Sequence, residues 1–279
     1  MTRRELQQRL HALDEIRNIM GAMKNLALLE TRKLARFLGA QQQVVAGVEA
    51  AAADFLHFYP PPAPAEPAQE TLLLIGSERG FCGGFNEVLL ERAGNGGTPG
   101  SPRIIAVGRK LCLKLENDAR VLALLDGPNV AEEVPNVLSR LVEEIGALQA
   151  RSGPLSLTVL HHREAGHEPA GRRLLPPFTE RRDGVPAHGH PPLLNLDPTT
   201  FFMELVDHYL LAALHEVFYT SLMAENRQRI QHMQGAVDRL EQQTAELKLK
   251  YNTLRQEEIT EEIEVILLSA ASVEAFPKR

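Results

Sequence analysis

The 279 residues of this chain are enough for one large domain or two modest ones. Charged residues at 24% and hydrophobic residues at 44% are typical of an ordinary soluble protein and exclude both a disordered and a membrane-spanning chain. The net charge of −6 argues against a dedicated nucleic-acid binder, which is usually basic, so we expect no nucleic acid among the partners.

Targeting, membrane and disulfide signals are weak in this sequence. The two cysteines, Cys82 and Cys112, have no metal-ligand spacing and indicate a reducing compartment. The opening residues MTRRELQQRL lack the apolar core of a signal peptide. The longest apolar run, residues 265–273, has nine residues including two serines, whereas crossing a bilayer needs ~20.

The positions of the prolines divide the chain. All eighteen lie between Pro60 and Pro198, apart from Pro277. Proline interrupts helices, so the layout predicts a helix, a globular insert and a second helix. The predicted domains are an N-terminal helix at 1–59, an α/β insert at 60–198 and a C-terminal helix at 199–279.

The first arm, residues 2–58, shows an imperfect heptad pattern. One seam position recurs every seven residues: Leu6, Leu13, Met20, Ala27 and Leu34. The complementary position holds Ile16, Met23 and Phe37, but Arg9 and Glu30 interrupt it. Thr2 followed by Glu5 fits a capping box. The excess of basic residues up to position 36 indicates either a solvated helix face or docking against an acidic surface. The proline-rich segment 60–67 predicts a semi-rigid linker.

The middle of the chain alternates between strand-like and helix-like patterns. Short apolar runs predict strands at 71–76, 103–107 and 155–160, with a weaker one at 120–125 and a further candidate at 172–178. Helical patterns lie between them at 86–93, 109–117 and 129–150. Such alternation predicts an α/β layer with a largely parallel sheet.

A glycine-rich stretch, GSERGFCGGF at 76–85, follows the first predicted strand. It matches neither phosphate-binding motif well, and no lysine stands where a nucleotide needs one, so we interpret it as a tight strand-to-helix turn. Cys82 has no base near it in sequence, and we expect a small packed residue rather than a nucleophile.

The histidines offer no metal-site pattern. Five lie at irregular spacings without a cysteine partner: His161, His162, His167, His188 and His190. We expect these to be surface residues. The sequence contains no catalytic constellation, and we expect no cofactor.

The second arm is predicted to begin at 197–199, where Asp197 or Thr199 caps a helix and Pro198 is tolerated in its first turn. Bulky apolar residues in its first part are expected to pack on the α/β layer: Leu205, Leu210, Leu214, Val217, Phe218 and Leu222. A clean heptad seam follows: Ile230, Met233, Val237, Leu240, Thr244, Leu247, Tyr251 and Leu254. At about 1.5 Å per residue, the whole helix would be roughly 110 Å long.

The segment IEVILLSAASV at 263–273 is apolar on nearly every side of a helix. A helix with that pattern is buried all round, and a single partner helix cannot cover it. The sequence therefore predicts an apolar end that requires a surrounding sleeve.

Four stretches carry a resemblance to a known family. They are IRNIMGAMK at 16–24, GSERGFCGGFN at 76–86, LLP at 174–176 and YNTLRQEEITEEIEVI at 251–266. Together with the order helix, insert, helix, they resemble the gamma subunit of F-type ATP synthases, the central-stalk rotor. The last block is the most specific.

The resemblance implies an α/β fold class in which a long antiparallel coiled coil of the N- and C-terminal helices carries an inserted Rossmann-like domain. It implies a non-catalytic rotor that couples ion flow to ATP synthesis or hydrolysis, with one copy per complex. The implied partners are the hexamer of alpha and beta ATP synthase subunits, the epsilon subunit and the membrane c-ring. The implied location is peripheral, at the cytoplasmic face of a bacterial inner membrane.

The resemblance also implies roles for individual residues. Arg255 and Gln256 match residues that catch a loop of the catalytic subunit, with Thr260 and Glu262 as further polar contacts. Four basic residues would face an acidic segment of the lever domain: Lys24, Arg32, Lys33 and Arg36. Five apolar residues would sit in the hydrophobic bearing of the hexamer: Ile263, Ile266, Leu267, Leu268 and Val273.

Some residues depart from the family pattern. Leu26, Leu28 and Leu29 stand where small residues are usual, Glu30 replaces a basic residue, and Val265 replaces an acidic one. The departures indicate a divergent or paralogous form, pumping either protons or sodium. Three other classes remain as alternatives: a coiled-coil adaptor with an α/β head, an RNA-gripping arm and a small α/β enzyme.

Overall fold

The computed structural model describes residues 2–60, 68–94, 101–163, 168–178 and 190–274, with side chains described as far as Ser269. Five α-helices and five strands follow one another in this order: α1 Arg3–Phe58, β1 Gln69–Ile75, α2 Phe85–Ala93, β2 Arg103–Val107, α3 Arg109–Leu115, β3 Val121–Leu125, α4 Val134–Ser152, β4 Leu155–His162, β5 Pro169–Leu175 and α5 Pro198–Glu274. A short 3-10 helix, Ala131–Glu133, precedes α4.

The chain forms two compact units. One comprises Met1–Leu26 with Gln231–Arg279, and the other is Ala27–Ile230. All strands belong to the second unit, which we call the sheet unit. The first unit, built from the early part of α1 and the later part of α5, is called the helical unit.

The sheet has the strand order β3-β2-β1-β4-β5. β1 pairs in parallel with both β2 and β4, β2 pairs in parallel with β3, and β5 lies antiparallel to β4. This confirms the largely parallel sheet, and it confirms the weaker strand candidates at 120–125 and 172–178. The run of apolar residues in β1 is explained because neighbouring Leu73 and Leu74 are both fully buried, one on each face.

Alternate side chains of the strands enter two cores. One face, with Leu73, Ile105 and Val159, packs against α4 and the middle of α1 and α5. The other face, with Leu74 and Ile104, packs against α2 and α3. Of the α5 residues expected on the sheet, four are buried in the first core: Leu214, Val217, Phe218 and Leu222. Leu210 packs against this core, and Leu205 lies in a smaller cluster with Ala52 and Phe55.

Both long helices begin as their sequences predict. The Thr2 backbone N–H donates to Glu5 Oε2 at 2.9 Å, and the Glu5 N–H donates to Thr2 Oγ1 at 3.3 Å, which completes the capping box. Asp197 Oδ1 accepts from the N–H groups of Thr199 and Thr200, each at 3.1 Å. Asp197 is therefore the cap of α5. A hydrogen bond from the Thr200 hydroxyl, together with these backbone bonds, lowers the pKa of its carboxyl.

The heptad seam of α5 is confirmed in the helical unit. Met233 and Thr244 are buried there. The other seam positions from 237 to 254 are half-buried while most of their neighbours are exposed.

The second seam of α1 differs from the expectation at Ile16 and Phe37, which are exposed, whereas Met23 is half-buried as expected. Ile16 is 46% exposed, whereas Leu10, Arg17 and Lys24 are half-buried. Lys24 Nζ donates to Gln234 Oε1 at 2.7 Å within the helical unit. The expectation of Ile16 at the seam is wrong, because long basic side chains lay their aliphatic stems along the seam and keep their charged ends in polar contact.

No described helix is sufficiently long and apolar to span a membrane. Among the described residues, no cluster of histidine, cysteine and acidic side chains has the arrangement of a metal site.

Candidate functional site

The glycine-rich turn after β1 is tight because of its close neighbours. A Cβ on Gly76 would lie 2.4 Å from Leu111 Cβ and 2.7 Å from Asn86 Oδ1, so only glycine fits. Gly83 has φ 58°, a left-handed conformation that favours glycine. The interpretation as a strand-to-helix turn agrees with this geometry.

Carboxylates of the chain itself bind the backbone amides at this turn. Glu78 Oε2 accepts from the N–H groups of Arg109 at 2.8 Å and Gly127 at 2.7 Å. The amides of Glu78 and Arg79 in turn donate to the two carboxylate oxygens of Glu225 on α5, each at 3.3 Å. Amides of this kind bind phosphate in nucleotide-binding turns, and here internal anions occupy them.

Glu225 belongs to a buried polar cluster that joins α5 to the turn. Arg229, one helical turn further along α5, forms an ion pair with Glu225. Its guanidinium also donates to the Gly80 carbonyl at 3.2 Å, to Asn226 Oδ1 at 2.9 Å and to Cys82 Sγ at 3.2 Å. Each of the four side chains, Cys82, Glu225, Asn226 and Arg229, belongs to a residue at most 5% exposed. We call these four residues with the turn residues 78–80 the turn clamp.

Sequence reasoning missed the α5 part of this cluster. The available signal was a Glu/Arg pair at i and i+4, Glu225 and Arg229, directly after the apolar run Leu222, Met223 and Ala224. Charged residues in a stretch whose neighbours are buried require a partner from another element.

The Cys82 thiol is expected to be unreactive in this environment. Burial and, to a smaller extent, the Glu225 carboxylate raise its pKa to about 12, so the thiol stays protonated at neutral pH. The expectation of a packed cysteine is confirmed. Burial also raises the pKa of Glu225, and the neighbouring Arg229 guanidinium opposes that effect.

Two of the histidines expected at the surface are buried, so that expectation is wrong for them. His162 is 1% exposed; its Nε2 donates to the Phe85 carbonyl at 2.8 Å. His161 is 8% exposed, and burial lowers its pKa to about 4. The reason is that β4 is an interior strand, so neighbouring residues on both faces are covered. His190 is exposed, and His167 and His188 lie outside the described residues.

The four basic residues assigned to an acidic partner lie in different environments. Arg32 and Arg36 are exposed and form no ion pair within the described part of the chain. Lys33 Nζ pairs with Glu30 at 2.9 Å and Glu132 at 2.7 Å, and hydrogen bonds to these carboxylates raise its pKa. Lys24 lies at the seam of the helical unit, as described above.

Glu30, which departs from the family pattern, has an internal role. Its Oε1 accepts from the Ala131 N–H at 2.7 Å, at the start of the short 3-10 helix. Together with Lys33 and Glu132 it ties α1 to the segment that leads into α4. Glu30 therefore has a structural role inside the sheet unit.

The later part of α5 exposes the remaining predicted residues. Arg255, Gln256, Thr260 and Glu262 are all exposed, and Thr260 Oγ1 donates to the Gln256 carbonyl at 2.9 Å. The apolar residues beyond them are more than half exposed: Ile263 51%, Val265 65%, Ile266 64%, Leu267 63% and Leu268 72%. We call these five residues the apolar tip. Val273 belongs to the helix, but its side chain lies outside the described ones.

These features can bind other proteins but do not compose a reactive centre within the described residues. The Cys82 thiol stays protonated at neutral pH, and the acidic and basic groups of the turn clamp neutralise one another. Exposed apolar residues in a row, in contrast, mark surfaces that another protein covers. The fold and these surfaces are typical of a class of proteins in which long helices and an α/β domain bind other subunits.

Comparison with known proteins places the chain within that class. The model of the ATP synthase family matches residues 2–273, and the chain therefore belongs to this family. A relative called ATP synthase gamma chain from Clostridium perfringens is 24% identical over 276 residues, covering 94% of this chain and 95% of the relative. The ATP synthase gamma chain of Xanthomonas oryzae pv. oryzae is 22% identical over 290 residues, covering 97% and 99%.

Solved structures support the fold. The rotor of the Euglena gracilis mitochondrial ATP synthase matches with a TM-score of 0.63 at 17% identity, covering 92% of this chain and 99% of that one. A central stalk and c-ring structure from Tetrahymena thermophila mitochondrial ATP synthase matches with a TM-score of 0.55 at 14% identity, covering 78% and 99%. The α/β domain with long terminal helices is thus shared across these proteins.

Proposed function

We propose that this chain is the non-catalytic central rotor shaft of an F-type ATP synthase, coupling ion flow to ATP synthesis or hydrolysis. The observation that carries the proposal is the apolar tip, whose leucines and isoleucines are exposed on a chain of the ATP synthase family. A solvent-exposed apolar helix end is unfavourable by itself, and a ring of surrounding subunits would remove it from water.

The proposed partners are a hexamer of alpha and beta subunits, an epsilon subunit and the membrane c-ring. One copy of the shaft would serve each complex at the cytoplasmic face of a bacterial inner membrane. We propose that residues 1–59 and 199–279 act as the shaft and that residues 60–198 form the domain facing the ring. The rotor and central-stalk neighbours in the structural comparison support this division of roles.

Rotation requires a shaft that favours a different state in each catalytic subunit as it turns. A ligand or contact can shift a conformational equilibrium only through its differential affinity for the two states. Two helices of unequal length, 56 and 77 residues, supply such a contact, because α1 exposes Ile16 and Ile19 beside polar residues such as Asn18.

We propose that Arg255 and Gln256 hold a loop of a catalytic subunit, with Thr260 and Glu262 beside them. Their exposure leaves all four available for such a contact. Arg32 and Arg36 are the better candidates for an acidic partner surface, since Lys24 and Lys33 already have partners in this chain. The proposed bearing residues are Ile263, Ile266, Leu267, Leu268 and Val273.

Co-purification from cells that express the whole operon tests the function. The chain is expected to purify in one copy with an ATP-hydrolysing hexamer, and the complex in vesicles is expected to pump ions when ATP is added. Purification of an active monomer, or of a complex with no nucleotide-binding subunits, would contradict the rotor function.

Arg255→Ala tests the catch contact within the purified complex. Loss of a charge-assisted hydrogen bond of about 1.5–3 kcal/mol predicts a coupled ATP turnover lowered roughly tenfold. Lys248→Ala is the matched control, because Lys248 is an exposed cation one heptad earlier on the same helix. Equal turnover in both variants would count against the assignment of Arg255.

A further inference from the structure

We infer that the turn clamp transmits torque between the strands of the sheet unit and helix α5. In this role Glu225, Asn226 and Arg229 are positioning residues that hold α5 in a fixed position on the turn. The inference rests on the proposed rotor function and adds to it a location where force passes between the α/β layer and the shaft helix.

The bonding pattern of the turn clamp leaves little freedom of movement. Both oxygens of Glu225 accept backbone N–H groups of the turn, from Glu78 and Arg79. Three nitrogens of Arg229 make bonds as well, reaching the Gly80 carbonyl and the Cys82 sulfur on the turn. The turn is therefore held at both the N–H and the C=O side of its backbone by one helical turn of α5.

The turn is also fixed to the sheet from its other side. Gly76 N donates to the Val107 carbonyl at 2.9 Å, and Lys110 N donates to the Ser77 carbonyl at 3.0 Å. Glu78 reaches Arg109 and Gly127 after β2 and β3. Any displacement of α5 relative to the turn would thus be resisted by several strands together.

The remaining contact between α5 and the sheet combines apolar packing with two polar contacts. Ser221 Oγ donates to the Ile75 carbonyl at 3.3 Å, and Arg172 of β5 pairs with Glu216 at 2.7 Å. Leu214, Val217, Phe218 and Leu222 pack against the strands in the larger core. Apolar packing is non-directional, so it selects one alignment of two surfaces less sharply than directed hydrogen bonds do. Hydrogen bonds weaken steeply when their angle changes, so the clamp is suited to oppose sliding and turning.

The chemistry of the clamp is better suited to fixing the alignment of α5 on the turn than to stabilising the fold. Removing two charges from water costs about as much free energy as their attraction returns, and apolar replacements of buried ion pairs are often neutral or stabilising. Fixing one alignment is the best-attested use of a buried polar pair. A buried Glu225–Arg229 pair beside an apolar core fits that use.

The double variant Glu225→Met with Arg229→Met tests the inference in the complete complex, reconstituted in vesicles. It fills the same space with apolar side chains and removes the directed bonds. We expect normal assembly, ATP hydrolysis within twofold and ions pumped per ATP lowered at least twofold. The thermal midpoint should fall, because the backbone N–H groups of Glu78 and Arg79 lose their acceptors. A merely structural role would lower the thermal midpoint and leave that ratio unchanged.

Two further variants make the result decisive. Glu87→Met with Lys114→Met removes an ion pair of 2.6 Å between α2 and α3, which does not involve α5, and should leave the pumping ratio unchanged. Arg229→Lys keeps the charge beside Glu225 but loses the planar geometry that reaches Gly80 and Asn226 together. We expect Arg229→Lys to lower the number of ions pumped per ATP, which is the pumping ratio. It is the variant to test if the double variant does not assemble.

The outcomes separate the two proposals. An unchanged pumping ratio in an assembled clamp variant overturns the torque role, and so does failure of both clamp variants to assemble, which would make the clamp a folding element. A wild-type complex that neither assembles nor pumps contradicts the rotor function itself.

Discussion

Glu78 and Glu225 show how internal side chains can satisfy a glycine-rich turn. Between them they accept four backbone N–H groups, at the end of β1, at the start of α3 and after β3. In a nucleotide-binding protein those donors would face a phosphate. Here the same local geometry serves to connect three parts of the sheet unit to α5.

Gly76→Ala tests the close packing at this turn. The added Cβ would approach Leu111 Cβ to 2.4 Å, so the variant should lose about 1–3 kcal/mol of unfolding free energy. Gly84→Ala is the matched control in the same turn, because Gly84 has φ −78° and open space within 4 Å of its added Cβ. Denaturant unfolding measures both, and equal losses would contradict the packing explanation.

His161→Gln tests the buried histidine of β4. Burial and the nearby Arg163 and Arg172 lower its pKa from 6.5 to about 4, so the folded state favours the neutral ring. This lowered pKa corresponds to roughly 3 kcal/mol of unfolding free energy, which is present above pH 6.5 and is lost as the pH falls to about 4.

The experiment compares chemical unfolding of the wild type and His161→Gln at pH 7.5 and pH 5. Glutamine keeps a donor for the His162 carbonyl but carries no titrating group. The variant is expected to lose less stability on acidification than the wild type. An equal loss in both proteins would show that His161 already titrates near its ordinary pKa.

At the scale of the elements, most of the fold follows from sequence periodicity. All five strands and the starts of both long helices lie close to the predicted positions, because β-rich runs, caps and prolines are local signals. The predicted second seam of α1 is wrong at Ile16 and Phe37, which are exposed while the following residues Arg17 and Leu38 are half-buried and buried; Met23 is half-buried as expected. Apolarity alone does not reveal a seam lined by aliphatic stems.

Thr244 is the polar residue in the otherwise apolar seam of α5, and it is 5% exposed. Thr244→Val replaces a buried hydroxyl by a methyl group of similar size, which should raise stability by about 1 kcal/mol. Thr253→Val is the control, because Thr253 is exposed on the same helix. Thermal unfolding should show a higher midpoint only for Thr244→Val; a lower midpoint would mean that the hydroxyl makes a necessary hydrogen bond.

At the scale of the whole molecule, the sequence predicts exposed surfaces better than buried contacts between elements that are distant in the chain. The apolar tip is evident from sequence because residues 263–268 are nearly continuous in apolar character. The turn clamp is not evident, because its two halves lie 147 residues apart at Glu78 and Glu225. Only the folded chain brings a glycine-rich turn against a charged pair of a distant helix.

The apolar tip predicts different behaviour for the isolated chain and for the complex. Exposed isoleucine and leucine side chains should cause self-association of the isolated chain and should bind within the hexamer when it is present. Ile266→Ser with Leu267→Ser removes two apolar side chains, each contributing about 1.5–3 kcal/mol when fully buried.

The variant should therefore remain more monomeric alone and bind the hexamer at least tenfold more weakly, which follows from about 1.4 kcal/mol per factor of ten. Sedimentation of the isolated chain and titration of a shaft-free hexamer measure the two effects. Leu249→Ser is the control, because Leu249 is 70% exposed on α5 outside the apolar tip and should change hexamer binding little. The sheet unit should unfold at the same temperature in all three proteins, since the substitutions lie outside it. Undiminished hexamer binding by the double variant would contradict the bearing assignment, because polar substitutions in a buried apolar contact should lower the binding affinity.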